Sequence, residues 1–149
     1  MTEILFYHLT ESTLEAALPP LLEKSLQRGW RAVVQTGSEE RRDALDTHLW
    51  VFNEQSFIGH GTDQEKFADQ QPVLLTTGES NANGAKVRFI VDNAQPPSLD
   101  GYDRAVFMFD GHDQLQVEAA RGHWKNAKDN GHEVTYWQQT PEGRWERKA

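Results

Sequence analysis

A stripe of cations beside a tryptophan is the clearest chemical feature of this sequence. Arg121, Lys125 and Lys128 recur at the three- and four-residue spacing that places side chains on one face of a helix, and Trp124 lies next to them. Such a stripe can hold carboxylates, because Arg grips a carboxylate through two parallel hydrogen bonds, and the indole can hold an apolar group. The alternative is an ordinary solvated helix face, since most surface charges do little by themselves.

One helix over residues 112–131 is predicted to carry this stripe, with Gly131 ending it as a left-handed C-terminal cap. Its buried face is expected at apolar positions with the same spacing: Val117, Ala120, Trp124 and Ala127. Gly122 lies beside the cations and leaves the backbone uncovered there. The helix therefore presents a core face and a cationic face side by side.

The charge distribution indicates which ligand suits the cations. The chain has 15 basic and 23 acidic residues and a formal net charge of −8. Residues 121–149 hold six basic and four acidic residues, so this segment is +2 and the remainder is −10. An acidic protein repels nucleic-acid phosphates, so direct or sequence-specific DNA binding is disfavoured. A short acidic peptide or a single carboxylate is the better ligand for a local cationic ridge.

No other residue pattern in the sequence marks an enzyme, a metal site or a cofactor. The chain has no cysteine, which excludes disulfides, thiolate metal sites and thiol catalysis. Residues 105–110 resemble a Walker B strand ending in Asp110, but neither a Walker A loop nor a GxGxxG motif is present. Asp110 is therefore expected to cap the next helix or to shape a turn with Gly111. The six histidines lack metal-ligand spacing, and His60 is expected to be a surface or hydrogen-bonded structural residue.

Alternating strand and helix patterns predict the fold that must position these residues. Strands are expected at 4–9, 31–36, 73–76, 87–91, 104–109, 133–139 and 144–147, and helices at about 13–28, 39–49 and 112–131. Such alternation is typical of βαβ units. We therefore predict a single-domain three-layer α/β/α structure over residues 1–149. Its central sheet should be mostly parallel, Rossmann-like or P-loop-like without a Walker A motif, with a C-terminal β-hairpin around a type I turn at 140–143.

Several local features carry separate expectations. Ser12 and Glu15 have the spacing of a capping box at the start of the first helix, and the pair Pro19–Pro20 predicts a kink or a fresh helix start. Residues 50–60 are expected to form an aromatic-rich loop, and residues 61–71 a polar, mobile segment. The N-terminus lacks a cationic n-region and no apolar span reaches 18 residues, so we expect a cytoplasmic protein without a signal peptide or membrane helix.

Several stretches, in the same order over nearly the whole chain, carry a family resemblance. They are FYHL, DTHLW followed by SFIGH, QPVLLT, RAVFMFDG, AARGHWKNAKDNGHEVTYWQQ and the tail GRWERKA. Together they resemble the chi subunit of the bacterial DNA polymerase III holoenzyme. The pairing of LW…SF..H with AR..WK…G…YW is the most specific part of this resemblance.

The resemblance implies a non-catalytic accessory subunit of the clamp-loader assembly, acting at the replisome in the cytoplasm. In that family one surface binds the acidic C-terminal tail of single-stranded DNA-binding protein, whose last residue is Phe. This site would comprise Arg121 and Lys125, with Trp124 where the family has an aromatic residue. Lys128 and Val117, on the same predicted helix, complete the candidate set.

The resemblance also implies a surface for the psi subunit, opposite the tail site. It would comprise Trp50 and Phe57 together with His60, and Gly59 stands where the family often has Pro. Some bacteria use the same chi surface to bind a repair helicase of the iron–sulfur type. The alternative is that Trp50 and Phe57 close the core beneath a loop rather than form an exposed patch.

A different class of function stays open on the residues alone. A small-ligand or nucleotide-binding α/β protein would use the strand ends near Asp110. A deep cleft lined by Asp110 and Gly111 would favour that interpretation.

Overall fold

The computed structural model describes residues 2–51, 59–79 and 81–149. In chain order its elements are β1 (Glu3–Leu9), α1 (Leu14–Gln27), β2 (Ala32–Gln35), α2 (Glu39–Val51), β3 (His60–Thr62), a short 3-10 helix (Ala68–Gln70), β4 (Val73–Thr76), β5 (Val87–Ile90), β6 (Arg104–Asp110), α3 (Gln114–Asp129), β7 (Glu133–Gln139) and β8 (Trp145–Arg147). Each predicted strand and helix is present, and β3 is an additional strand. In the part of the chain that the structure describes, no helix is long and apolar enough to cross a membrane.

The strands form one eight-stranded sheet in the order β3-β4-β2-β5-β6-β1-β7-β8. All neighbouring pairs are parallel except β7 and β8, which are antiparallel. The turn between the last two strands is closed by a 2.9 Å hydrogen bond from the Gly143 amide to the Thr140 carbonyl, as the sequence predicts. The predicted α/β fold with a mostly parallel sheet and a C-terminal hairpin is therefore confirmed.

Alternate residues of each strand point to opposite faces of the sheet, and different elements cover the two faces. Helices α1 and α2 cover one face through Leu18, Leu22, Leu45 and Leu49. Helix α3 and the connection 92–101 cover the other face through Ala94, Leu99, Ala120 and Ala127. Helices α2 and α3, which carry the two candidate interaction sites, therefore lie on opposite faces of the sheet.

The first helix begins and continues differently from the prediction. Its N-cap is Thr13 rather than Ser12, and the Thr13 side chain accepts a 3.2 Å hydrogen bond from the Ala16 amide. The helix also runs through Pro19 without a fresh start. Proline has no N–H for the carbonyl four residues earlier, which here belongs to Glu15.

A histidine from the next helix compensates for that missing donor. His48 Nε2 lies 2.7 Å from the Glu15 carbonyl oxygen, and because a carbonyl can only accept, the imidazole donates. The proline is thus accommodated inside α1 by a contact with α2, which the sequence pattern of α1 alone could not reveal.

The segment around Trp50 differs from the predicted loop. Helix α2 extends to Val51, so Trp50 lies in its last turn. The prediction of a mobile segment at 61–71 is wrong where β3 pairs with β4 and where residues 68–70 form a 3-10 turn. Strand β3 is a short polar edge strand, His-Gly-Thr, so no hydrophobic alternation signalled it.

The start of α3 resolves the two roles considered for Asp110. The cap is Asp113, whose carboxylate accepts from the amides of Leu115 at 3.0 Å and Gln116 at 3.4 Å. Asp110 shapes the preceding turn by accepting from the His112 amide at 2.9 Å. At the other end Gly131 has a φ of +78°, as predicted for the residue that ends the helix.

Candidate functional site

The residues predicted to bind the acidic tail all lie on α3. Arg121, Lys125 and Lys128 are exposed, whereas Val117 and Trp124 are half-buried. Within the described residues, none of the three cations takes part in an ion pair within 4.0 Å. Among the described residues, the three positive charges are therefore not neutralised by a carboxylate of the fold.

Trp124 is held in place by aromatic rings of the sheet. Its ring meets Phe6 at a centroid distance of 5.5 Å and Tyr136 at 5.6 Å, both edge-to-face. Phe6 in turn stacks on Phe107 at 4.8 Å. Such contacts stabilise beyond simple burial and fix ring orientation. The Lys128 ammonium lies 4.9 Å from the centre of the Trp124 ring, so the indole and the cation form one surface.

The sheet rings beneath Trp124 form an aromatic floor, and it includes Tyr136 and extends to His8. The sequence interpretation missed both residues. His8 Nδ1 lies 2.6 Å from the Tyr136 hydroxyl, and its ring stacks on Phe109 at 4.7 Å. The other edge of the imidazole packs so closely on Gly111 that a methyl group there would collide with His8 Nε2. The only sequence signal was aromatic residues at alternate positions of strands that the register places side by side, such as Phe6 opposite Tyr136.

The charge of Arg121 affects the pKa values of His8 and Tyr136 in this aromatic floor. Burial lowers the pKa of His8, and the charges of His112 and Arg121 lower it further, against an opposing effect of Asp110. Burial raises the pKa of Tyr136, and Arg121 opposes that rise. The acid on the same helix face, Glu118, accepts a 3.1 Å hydrogen bond from Gln114 instead of pairing with Arg121. The site therefore combines a positive rim with a neutral aromatic floor.

The second predicted surface lies at the end of α2. Trp50 is 55% exposed, and Val51, beside it, is 70% exposed. The Trp50 ring lies 4.5 Å from the ring of His60, which is only 3% exposed and whose Nε2 lies 2.9 Å from the Asp46 carbonyl oxygen. His60 thus supports Trp50 from beneath, as a hydrogen-bonded structural residue. Phe57 lies outside the described residues.

A cleft of about 380 Å³ lies at the strand ends near Asp110. Strands β1 and β6 are neighbours, but their following helices cover opposite faces, which is where open α/β sheets bind ligands. Carboxylates line the cleft: Glu11, Glu15, Asp92 and Asp110. Its one guanidinium, Arg41, already pairs with Glu15 at 2.7 Å and with Asp92 at 3.6 Å. This charge balance opposes the binding of a nucleotide phosphate.

The loop after β1, which holds phosphates in nucleotide-binding proteins with a similar α/β architecture, is closed here by a side chain. The amides of Thr10, Glu11 and Ser12 donate to the same oxygen, Gln139 Oε1, at 3.1, 3.0 and 2.9 Å. The three donors are therefore unavailable to a phosphate. Among the residues that the structure describes, no cluster of three or more histidine or acidic side chains is suited to a metal ion.

Comparison with known proteins places the chain in a family. The model of the family described as DNA polymerase III chi subunit, HolC, matches residues 1–135. The chain is 24% identical over 135 residues to the DNA polymerase III subunit chi of Pseudomonas aeruginosa, covering 89% of this chain and 93% of that protein. It is 26% identical over 91 residues to the probable DNA polymerase III subunit chi of Rickettsia prowazekii, covering 61% of this chain and about half, 55%, of that protein. The chain therefore belongs to the DNA polymerase III chi subunit family.

Proposed function

We propose that this protein is a non-catalytic subunit of the DNA polymerase III clamp-loader complex and that α3 binds the acidic C-terminal tail of single-stranded DNA-binding protein. One observation carries the proposal. Arg121, Lys125 and Lys128 are exposed around a fixed indole and, among the described residues, form no ion pair. Family membership supports it, because a chi subunit works within a polymerase assembly rather than alone.

The geometry suits a short acidic peptide with an apolar end. Carboxylates of the tail would meet Arg121 and Lys125, and its terminal ring would lie against Trp124. A short peptide buries little area, so we expect a dissociation constant on the order of micromolar. Because the cations are exposed, the affinity should fall as salt is raised. The acidic cleft near Asp110 gives no comparable support to a nucleotide-binding function.

Isothermal titration with the tail peptide tests this proposal. Arg121→Ala should weaken binding by about 1.5–3 kcal/mol, the range for a charge-assisted hydrogen bond. Lys24→Ala is the matched control, because Lys24 is an exposed cation on α1, across the sheet from α3. If Arg121→Ala and Lys24→Ala both bind like the wild type, the tail site does not lie on α3.

We propose further that the exposed end of α2 binds the psi subunit, through Trp50 with Phe57 and with His60 beneath. The exposure of Trp50 supports a partner surface over a core role. Because α2 and α3 lie on opposite faces, the two partners could bind together, linking the polymerase assembly to single-stranded DNA-binding protein in the cytoplasm. A repair helicase, where one is present, would compete for the α2 surface.

Co-purification with psi tests this second surface. Trp50→Ala should leave the circular dichroism spectrum and melting temperature nearly unchanged while abolishing psi association. Leu115→Ala is the control, because Leu115 is an apolar residue on a different helix and is even more exposed than Trp50. An unfolded Trp50→Ala protein would assign Trp50 to the core, and unchanged psi association would place the psi surface elsewhere.

A further inference from the structure

A glycine in the middle of α3 has no explanation within the described chain. Glycine destabilises a helix interior relative to alanine, and it is otherwise used where φ is positive or where another group approaches the backbone closely. Gly122 has no positive φ, and a methyl group added there would meet no atom of the described residues within 4 Å. By contrast, an added methyl at Gly111 would collide with His8. Gly122 therefore leaves helix backbone uncovered, where a second molecule could approach it closely.

The cationic stripe flanks Gly122 on one side. With 3.6 residues per turn, Lys125 and Arg121 lie on the flank of α3 toward Trp124 and β7. The neighbour one turn earlier on this flank is Glu118, whose carboxylate is engaged by Gln114. Gly122 lies beside Lys125 and Arg121 and has no side chain. An acidic chain held by these two cations could therefore lie directly on the helix backbone at Gly122.

A cleft flanks Gly122 on the other side. It has a volume of about 440 Å³ and lies between α3 and the segment 96–100. His123 and Asn126, the neighbours of Gly122 on this flank, line it together with Leu99 and Phe107. The His123 ring stacks on Phe107 at 5.0 Å, so the cleft has an aromatic wall, and imidazole and carboxamide groups supply hydrogen-bond donors. Asp100 is the one carboxylate among its lining residues.

The distances allow one peptide to use both flanks. A helix is about 10 Å across, so the path over its outer half is about 15 Å, and an extended chain that advances roughly 3.3 Å per residue covers this path in about five residues. We propose that the acidic peptide held by Arg121 and Lys125 crosses α3 with its backbone against Gly122 and enters the cleft lined by His123 and Asn126. This path rests on the proposed function of α3 and specifies where the remainder of the ligand goes.

Substitutions that add bulk at Gly122 test the path, with a synthetic peptide of the acidic C-terminal tail of single-stranded DNA-binding protein as the ligand. Gly122→Ala should raise the melting temperature, because it improves helix propensity in open space, yet weaken binding by about threefold. Gly122→Leu should weaken binding by about tenfold or more, through steric exclusion of the peptide backbone. Thr47→Leu, which adds the same side chain to an exposed position of α2, should bind like the wild type.

Two outcomes distinguish a failure of the crossing path from a failure of the tail site on α3. Unchanged binding by Gly122→Leu, with weakened binding by Arg121→Ala, would overturn the crossing but leave the proposed function standing. Unchanged binding by both variants would overturn both. On the wild-type protein, the peptide should shift the side-chain NMR signals of His123 and Asn126. A peptide that shifts only Trp124 and Tyr136 would run along the stripe, and the crossing would be wrong.

Discussion

Gln139 and Ser12 are joined by two hydrogen bonds that tie the seventh strand to the first loop. The Gln139 amide oxygen accepts from the Ser12 backbone N–H at 2.9 Å, and the Gln139 amide nitrogen donates to Ser12 Oγ at 2.9 Å. The same oxygen accepts from the Thr10 and Glu11 amides. One buried side chain therefore satisfies a loop that in nucleotide-binding folds would be completed by a ligand.

Gln139→Ala should lower the free energy of unfolding by about 2–4 kcal/mol, because three backbone donors and one hydroxyl lose their partner while the adjacent cleft lets in some water. Urea unfolding measures the change. Gln138→Ala is the control, since Gln138 is the preceding residue of β7, points to the other face, and forms no side-chain hydrogen bond within the described residues. Equal losses in the two variants would show that the Gln139 bonds add nothing specific to stability.

The features that could be predicted from the sequence are those that local patterns determine. The apolar run of β6 and the spacing of α3 identify a central strand and an amphipathic helix, and with them the cationic stripe. The floor beneath that stripe could not be predicted, because Phe6 and Tyr136 come from strands far apart in the sequence and meet only through the register of the sheet. Strand β3 was missed for a related reason, since a polar edge strand is defined by its partner rather than by its own pattern.

The hydrogen bond from His48 to the Glu15 carbonyl should matter most while residue 19 is proline. His48→Ala should destabilise the protein by about 1–2 kcal/mol, because it leaves that carbonyl without its donor. In a Pro19→Ala background the new backbone N–H can reach the same carbonyl, so His48→Ala should cost less. A double-mutant cycle in urea measures the coupling, and strictly additive effects would rule out this compensation.

The two aspartates that contact Arg42 should differ sharply in their contribution to stability. Asp63 accepts from Arg42 at 3.1 Å and also from the Thr76 hydroxyl at 2.7 Å, so it links α2 to the sheet. Asp43 lies 3.0 Å from the same guanidinium but is largely exposed. Asp63→Ala should lower the unfolding free energy by about 2–4 kcal/mol, because it leaves a buried guanidinium partly unpaired, whereas Asp43→Ala should cost less than about 1 kcal/mol. Thermal unfolding of both variants measures the difference, and losses of similar size would contradict this assignment.

Stability should fall as the pH is lowered from 7.5 to 5.5, partly through His123. Burial of this imidazole against Phe107 lowers its pKa from the ordinary value of 6.5. The unfolded chain then binds a proton at a higher pH than the folded chain does, so the contribution of His123 is fully present above about 6.5 and is lost as the pH falls through the folded pKa.

The contribution of His123 to the pH dependence of stability can be isolated by measuring each variant at both pH values and comparing the losses of unfolding free energy. The loss of unfolding free energy between pH 7.5 and 5.5, measured in urea, should be smaller in His123→Gln than in the wild type. His8, whose pKa is also lowered by burial, remains in this variant and should sustain part of the loss. His112→Gln removes an exposed imidazole and with it one of the charges that lower the pKa of His8, but it leaves His123 in place, so it should keep more of the wild-type loss than His123→Gln does. If His123→Gln lost as much stability as the wild type, folding would not lower the pKa of His123.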